Sequence, residues 1–109
     1  MTSIPANDPT DDALNALLKL AATGAPPDRV VQTIGSMVAA WAEEPDMTPA
    51  AAQLRIERLW DVLGKDADDL QASISDAEGH EGPALTAANR SLAALQAAVA
   101  ALAASHARL

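Results

Sequence analysis

The side chains that could support catalysis are few in this chain, and they are widely separated. The 109 residues include two histidines, His80 and His106, and no cysteine. A nucleophilic mechanism needs a serine, threonine or cysteine beside a base that a third group orients. His80 lies in a glycine-containing connection, and His106 lies in the last turn of a predicted helix, where a frayed end would not hold catalytic geometry. We therefore predict that the protein is not an enzyme.

The patterns that bind metals and phosphates are also missing from the sequence. Helical bundles that hold metal ions use inward glutamates and a Glu-x-x-His pair, and the sequence contains no such pair. Glycine-rich phosphate loops of the GxGxxG or GxxxxGKS type do not occur. We therefore expect no metal, no cofactor and no small-molecule substrate.

Acidic residues outnumber basic ones, with 15 Asp and Glu against seven Lys and Arg, for a formal net charge of −8. This charge repels phosphate backbones and anionic lipids, so we expect no direct binding to nucleic acid or membranes. Solubility is the simpler interpretation of the charge. The alternative is a functional acidic patch, for which the candidate residues are Asp61, Asp66, Asp68, Asp69 and Asp76.

Composition favours helices over sheets. The chain contains 27 alanines and 13 leucines, but neither phenylalanine nor tyrosine. Alanine and leucine are strong helix formers, whereas the aromatic and β-branched residues typical of strands are scarce.

The first half of the chain predicts two helices, over residues 8–23 and 27–44. Asp8 and Pro9 supply start signals for the first helix, and Gly24 stands where a left-handed C-cap residue belongs. The second helix starts at Pro27 and contains Gly35, which marks either a close approach between helices or a tolerated defect. Its expected apolar face consists of Val30, Val31, Ile34, Val38 and Trp41.

The second half predicts two longer helices, over residues 48–78 and 83–108. Thr48 is the expected N-cap of the third helix, and the heptad phase favours continuity through Gly64. The alternative is a short break after Gly64, with Asp66 as a new N-cap. Its predicted apolar stripe is Ile56, Trp60, Leu63, Ala67, Leu70, Ile74 and Ala77. Two heptad helices joined by a short connection are expected to form an antiparallel hairpin. The prediction is an all-α, small four-helix bundle with a long C-terminal hairpin, comprising one domain over 8–109 and a flexible arm over 1–7.

The last predicted helix is apolar on all sides, because Gln96 is the only polar residue between Leu92 and Ala104. Such a helix is normally buried on several sides, either at the centre of a bundle or in an external interface. Alanine is also a good former of surface helices, which is a third explanation. The candidate interface residues are Ala93, Ala97, Ala101 and Ala104, with Trp41 and Trp60 as large apolar residues that serve either an interface or the core.

These features predict a non-enzymatic protein–protein interaction module, such as an adaptor, a chaperone-like factor or a small regulatory protein. We expect protein partners and self-association as a homodimer. One alternative is an acidic inhibitor of the phage or antitoxin type, which imitates nucleic acid and blocks a basic surface. Another is a subunit of a larger structural assembly. The first dozen residues lack the basic start and apolar run of a signal peptide, so a cytoplasmic location is expected.

Overall fold

A computed structural model of the protein describes residues 9 to 76 and 82 to 109, with side chains from residue 11 onward. These residues form four helices and no strand, which confirms the predicted all-α class. The helices are α1 (Pro9–Ala22), α2 (Pro27–Ala42), α3 (Pro49–Asp76) and α4 (Pro83–Arg108). Their mutual contacts fit a bundle. The predicted arm over 1–7, Ala77 of the predicted apolar stripe and the connection around His80 lie outside the described residues.

Each of these four helices begins at a proline. Proline suits the first helical position because its φ is fixed near the helical value and because an N–H there would have no partner within the helix. At α3, Thr48 Oγ1 accepts a hydrogen bond of 3.1 Å from the backbone N–H of Ala51. Thr48 is therefore the N-cap that the sequence predicted.

α1 ends in a Schellman motif centred on Gly24. The N–H of Gly24 donates to the carbonyl of Ala21, and the N–H of Ala25 donates to the carbonyl of Leu20. Gly24 has a φ of +69°, a left-handed conformation that side chains with a Cβ adopt only with strain. A Cβ at this position would also lie 3.2 Å from the Cβ of Arg90 in α4. Gly24 thus ends α1 and permits close contact with α4.

The glycines inside α2 and α3 have no comparable role. α3 passes through Gly64 as one helix of 28 residues, in agreement with the continuous heptad phase. A Cβ added at Gly35 or Gly64 would meet no atom within 4 Å. Gly35 therefore marks no close approach between helices and is a tolerated defect of α2.

The core is a cluster of apolar side chains to which all four helices contribute. Trp41 belongs to it and is 6% exposed, whereas Trp60 is half-buried at its edge. The largest fully buried side chains are Leu17, Val30, Ile34, Ile56, Leu59, Leu63 and Leu102.

Three residues differ from the predicted apolar faces. Leu59 is not on the predicted stripe of α3 and yet is fully buried, while Trp60 is only half-buried. α3 contacts α1 and α2 as well as α4, so its buried face is wider than the seam of a two-helix pair. Val31 is 48% exposed, whereas Val30 and Ile34 of the same helix are buried and α2 packs mainly on α4.

The bundle is flattened. Its Cα positions extend 51 × 39 × 19 Å, and the shortest extent corresponds to about two layers of helices. The radius of gyration is 15.5 Å, whereas a compact domain of this length has about 13 Å. A flat arrangement leaves a broad solvent-facing side on each helix, and these sides are the surfaces available to partners.

Candidate functional site

α4 contacts each of the other three helices, with α3 and α2 as its main neighbours. Ala94 and Ala98 on its inner side are 1% and 2% exposed and belong to the core. Small side chains at these positions let the neighbouring helices pack close to α4. Part of the alanine in α4 therefore serves internal packing.

No helix in the described part of the chain combines the length and hydropathy needed to span a bilayer.

The other side of α4 is exposed and carries alanine instead of polar residues. The exposed positions between residues 93 and 107 are Ala93, Gln96, Ala100, Ala104 and Ala107. Four of these five are alanines and none is charged, although a surface helix normally has a polar solvent side. We define the alanine face as Ala93, Ala97, Ala100, Ala104 and Ala107.

The predicted interface alanines divide between this face and the core. Ala93 and Ala104 are exposed on the alanine face, and Ala97 is half-buried at its edge. Ala101 is half-buried and packs against the core. Ala100 and Ala107 are not among the predicted interface residues, although the helical period places them beside Ala93 and Ala104 once the rotation of α4 is known.

Trp41 lies under a charged pair rather than at an open surface. The guanidinium of Arg55 lies 5.4 Å from the centre of the Trp41 ring, within the range of a cation–π contact. Arg55 also donates two hydrogen bonds to the carboxylate of Glu44, at 2.8 and 3.1 Å. These hydrogen bonds lower the pKa of Glu44 below its usual value. The pair joins the connection after α2 to α3 and covers the core at Trp41.

Trp60 and His106 connect the first half of α3 to the end of α4. Their rings are 5.7 Å apart in an edge-to-face arrangement. His106 Nε2 lies 2.9 Å from Glu57 Oε2, and Gln53 Nε2 donates to the backbone carbonyl of His106 at 3.4 Å. The ring and the backbone carbonyl of His106 therefore both hold the last turn of α4 against α3.

The five candidate acidic residues all lie on α3 but do not share one face. Asp61 and Asp68 are exposed on the outer side of α3, about two turns apart, and Asp76 is exposed at its end. Asp69 is exposed and Asp66 is half-buried, and both line a groove between helices. The candidate patch thus divides into an outer part and a groove part.

This groove runs between α1, α3 and α4 and is open to solvent, with a volume of about 420 Å³. We call it the acid-rimmed groove. Its wall at α3 carries the two carboxylates, and none of the lining side chains is lysine, arginine or histidine. The residues that define it are Leu18, Ala21, Asp66, Asp69, Leu70 and Leu95. Sequence reasoning grouped Asp66 and Asp69 with other acids and gave no sign that leucines of α1 and α4 lie beside them.

Within residues 9 to 76 and 82 to 109, no group of three or more His, Cys, Asp or Glu side chains is placed to hold a metal ion. Every buried side-chain nitrogen and oxygen of those ranges has a hydrogen-bond partner. The chain matches no protein-family model, no curated protein and no solved structure. The two surface features that call for a functional explanation are the alanine face and the acid-rimmed groove.

Proposed function

We propose that this protein is a non-enzymatic helical interaction module that self-associates as a homodimer through the alanine face of α4. The observation that carries this proposal is the composition of the solvent side of α4, which has four alanines among its five exposed positions from 93 to 107 and no charge. Alanine loses no side-chain conformational entropy on burial. Contact with a second copy therefore has a low entropic cost. The small size of alanine also lets the two helices approach closely.

We infer that α3 and α4 form an antiparallel hairpin. His106 near the end of α4 contacts Glu57 and Trp60 in the first half of α3. Ser73 near the end of α3 lines the same groove as Ser91 in the first half of α4. This order of contacts supports opposite chain directions. In such a hairpin the alanine face lies along the outside of a rod, where a second copy can align with it.

The dimer is expected to be weak and insensitive to salt. From Ala93 to Ala107 the face is about 20 Å long, and a stable interface buries about 800 Å² of each partner. One narrow helix face provides less area, so side chains of a neighbouring helix must contribute and the affinity should lie in the micromolar range. Because the exposed residues of the face carry no charge, screening by salt should change the affinity little.

Light scattering after gel filtration tests this proposal over a range of protein concentrations. The wild-type mass should rise toward that of a dimer as concentration increases, at both low and high salt. A double variant, Ala100→Glu with Ala104→Glu, should remain monomeric with unchanged helix content, because both positions are exposed in the monomer. Ala50→Glu with Ala72→Glu is the matched control: it adds two acids at exposed alanines of α3 and should still dimerise.

Two outcomes would contradict the homodimer. The first is a wild-type chain that stays monomeric at high micromolar concentration, and the second is a glutamate double variant that dimerises as well as the control. Ala98→Glu should instead unfold the chain, because Ala98 is 2% exposed. A mass that continues to rise beyond the dimer would favour a subunit of a larger assembly.

A second candidate function is an acidic inhibitor that blocks a basic surface, which the exposed Asp61, Asp68 and Asp76 on α3 favour. Tagged protein recovered from its native host should then carry basic, nucleic-acid-binding proteins with it. Their retention should fall steeply with salt and with the double variant Asp61→Asn and Asp68→Asn. Retention that is insensitive to both changes would eliminate this candidate.

A further inference from the structure

The acid-rimmed groove combines an apolar floor with carboxylates on one side only. Leu18 and Ala21 of α1, Leu70 of α3 and Leu95 of α4 supply the apolar surface. Asp66 and Asp69 are three residues apart on α3 and therefore lie on the same side of that helix. An occupant that buries apolar groups here must also lie next to two carboxylates.

Among the residues that the structure describes, no Lys, Arg or His side chain forms an ion pair with Asp66 or Asp69. The net charge of −8 adds to the negative potential around them. Phosphate groups and acidic peptides are repelled from such a site, whereas Lys or Arg placed beside an apolar residue is attracted to it.

We propose that the acid-rimmed groove binds a basic amphipathic helix of a partner protein. One or two large apolar side chains of that helix rest on the leucine floor, and a Lys or Arg one turn away pairs with Asp66 and Asp69. The groove extends about 10 Å along α3 between Asp66 and Ser73, which is two helical turns. This length accommodates two apolar anchors, at positions i and i+3 or i+4 of a bound helix.

This inference goes beyond the proposed homodimer, since none of the residues that line the groove belongs to the alanine face. Self-association and groove binding can therefore be tested, and can fail, separately.

Binding can be measured by fluorescence anisotropy with a dye-labelled synthetic peptide of leucine, lysine and alanine, whose leucines repeat every three or four residues. The double variant Asp66→Asn with Asp69→Asn should weaken binding by about tenfold, as expected for the loss of two partly exposed ion pairs. The control variant, Asp61→Asn with Asp68→Asn, changes the net charge equally on the outer side of α3. It should bind within about twofold of the wild type. Equal weakening by both pairs, or by neither, would overturn the proposal.

A second variant tests whether the peptide occupies the apolar floor of the groove. Ala22 lines the groove and is exposed, so Ala22→Trp should fill the groove without disturbing the core. We expect this variant to keep its helix content and to lose peptide binding. In NMR titrations of the wild type, the backbone amides that shift should belong to residues 18–22 and 66–73. Full binding by Ala22→Trp, or shifts concentrated on α2, would place the peptide elsewhere and overturn the proposal.

Discussion

At the level of single residues, two glycines of this chain differ in whether their position could accept a side chain. Gly24 has a φ of +69° and lies against Arg90, so both its conformation and its surroundings exclude a Cβ without strain. Gly35 is in the middle of α2, and a Cβ there would meet no neighbouring atom within 4 Å. One glycine is required by the fold and the other weakens it.

We therefore predict opposite effects for the same substitution. Gly35→Ala should raise the free energy of unfolding by about 0.5–1 kcal/mol, because alanine has the higher helix propensity and restricts the unfolded chain. Gly24→Ala should lower it by more than about 1 kcal/mol, through left-handed strain and crowding of Arg90. Urea unfolding monitored by circular dichroism measures both changes. A stabilised Gly24→Ala variant would mean that α1 does not end in the Schellman motif.

Among the elements, α4 uses the same residue type for two purposes. Ala94 and Ala98 are buried against neighbouring helices, whereas Ala93, Ala100 and Ala104 face solvent. An enlarged side chain on the inner side must push helices apart, but an enlarged one on the outer side meets only water or a partner.

A pair of leucine substitutions tests this division of α4. Ala98→Leu should destabilise the fold by about 1–3 kcal/mol through overpacking, whereas Ala100→Leu should change stability by no more than about 0.5 kcal/mol. Both variants replace alanine by leucine, which is also a strong helix former, so helix propensity cannot explain a difference in stability between them. Thermal and urea unfolding should be measured at concentrations low enough for the chain to be monomeric. Similar losses from the two variants would place Ala100 inside the core.

At the level of the whole molecule, the helices contribute unequally to a thin core. From residue 11 onward, the buried side chains of α1 are one leucine, Leu17, and two alanines, Ala13 and Ala21. α3 provides Ile56, Leu59 and Leu63, all with 0% exposure. Because burial of apolar area supplies most of the stabilisation, α1 is bound to the bundle more weakly than α3.

We expect α1 to open before the rest of the bundle. In native-state hydrogen exchange followed by NMR, amides in the middle of α1 should exchange with a lower opening free energy than those around Leu59 and Leu63. The monomeric variant Ala100→Glu with Ala104→Glu should show the same order, since the alanine face is on α4. Equal opening free energies for α1 and α3 would show instead that the bundle unfolds as one unit. Because α1 forms one wall of the acid-rimmed groove, its opening would also alter the peptide site.

The sequence by itself determined the helical class, the positions at which the four described helices begin, and the end of α1 at Gly24. Prolines at 9, 27, 49 and 83, the Thr48 cap and Gly24 act through the backbone of their immediate neighbours, so these signals can be recognised from a few adjacent residues. The heptad phase likewise indicated that α3 continues through Gly64.

Only the tertiary structure decided how each helix is rotated about its axis and what lies beside it. That rotation buries Leu59 more deeply than Trp60 and leaves Val31 exposed. The contact between Glu57 and His106 joins residues 49 positions apart, and no local pattern indicates it. The separation of Asp66 and Asp69 from Asp61 and Asp68 also depends on where α1 and α4 pack. Helix formation is governed by local backbone preferences, whereas surfaces and grooves arise from the packing of distant segments, which the spacing of residues along one helix does not specify.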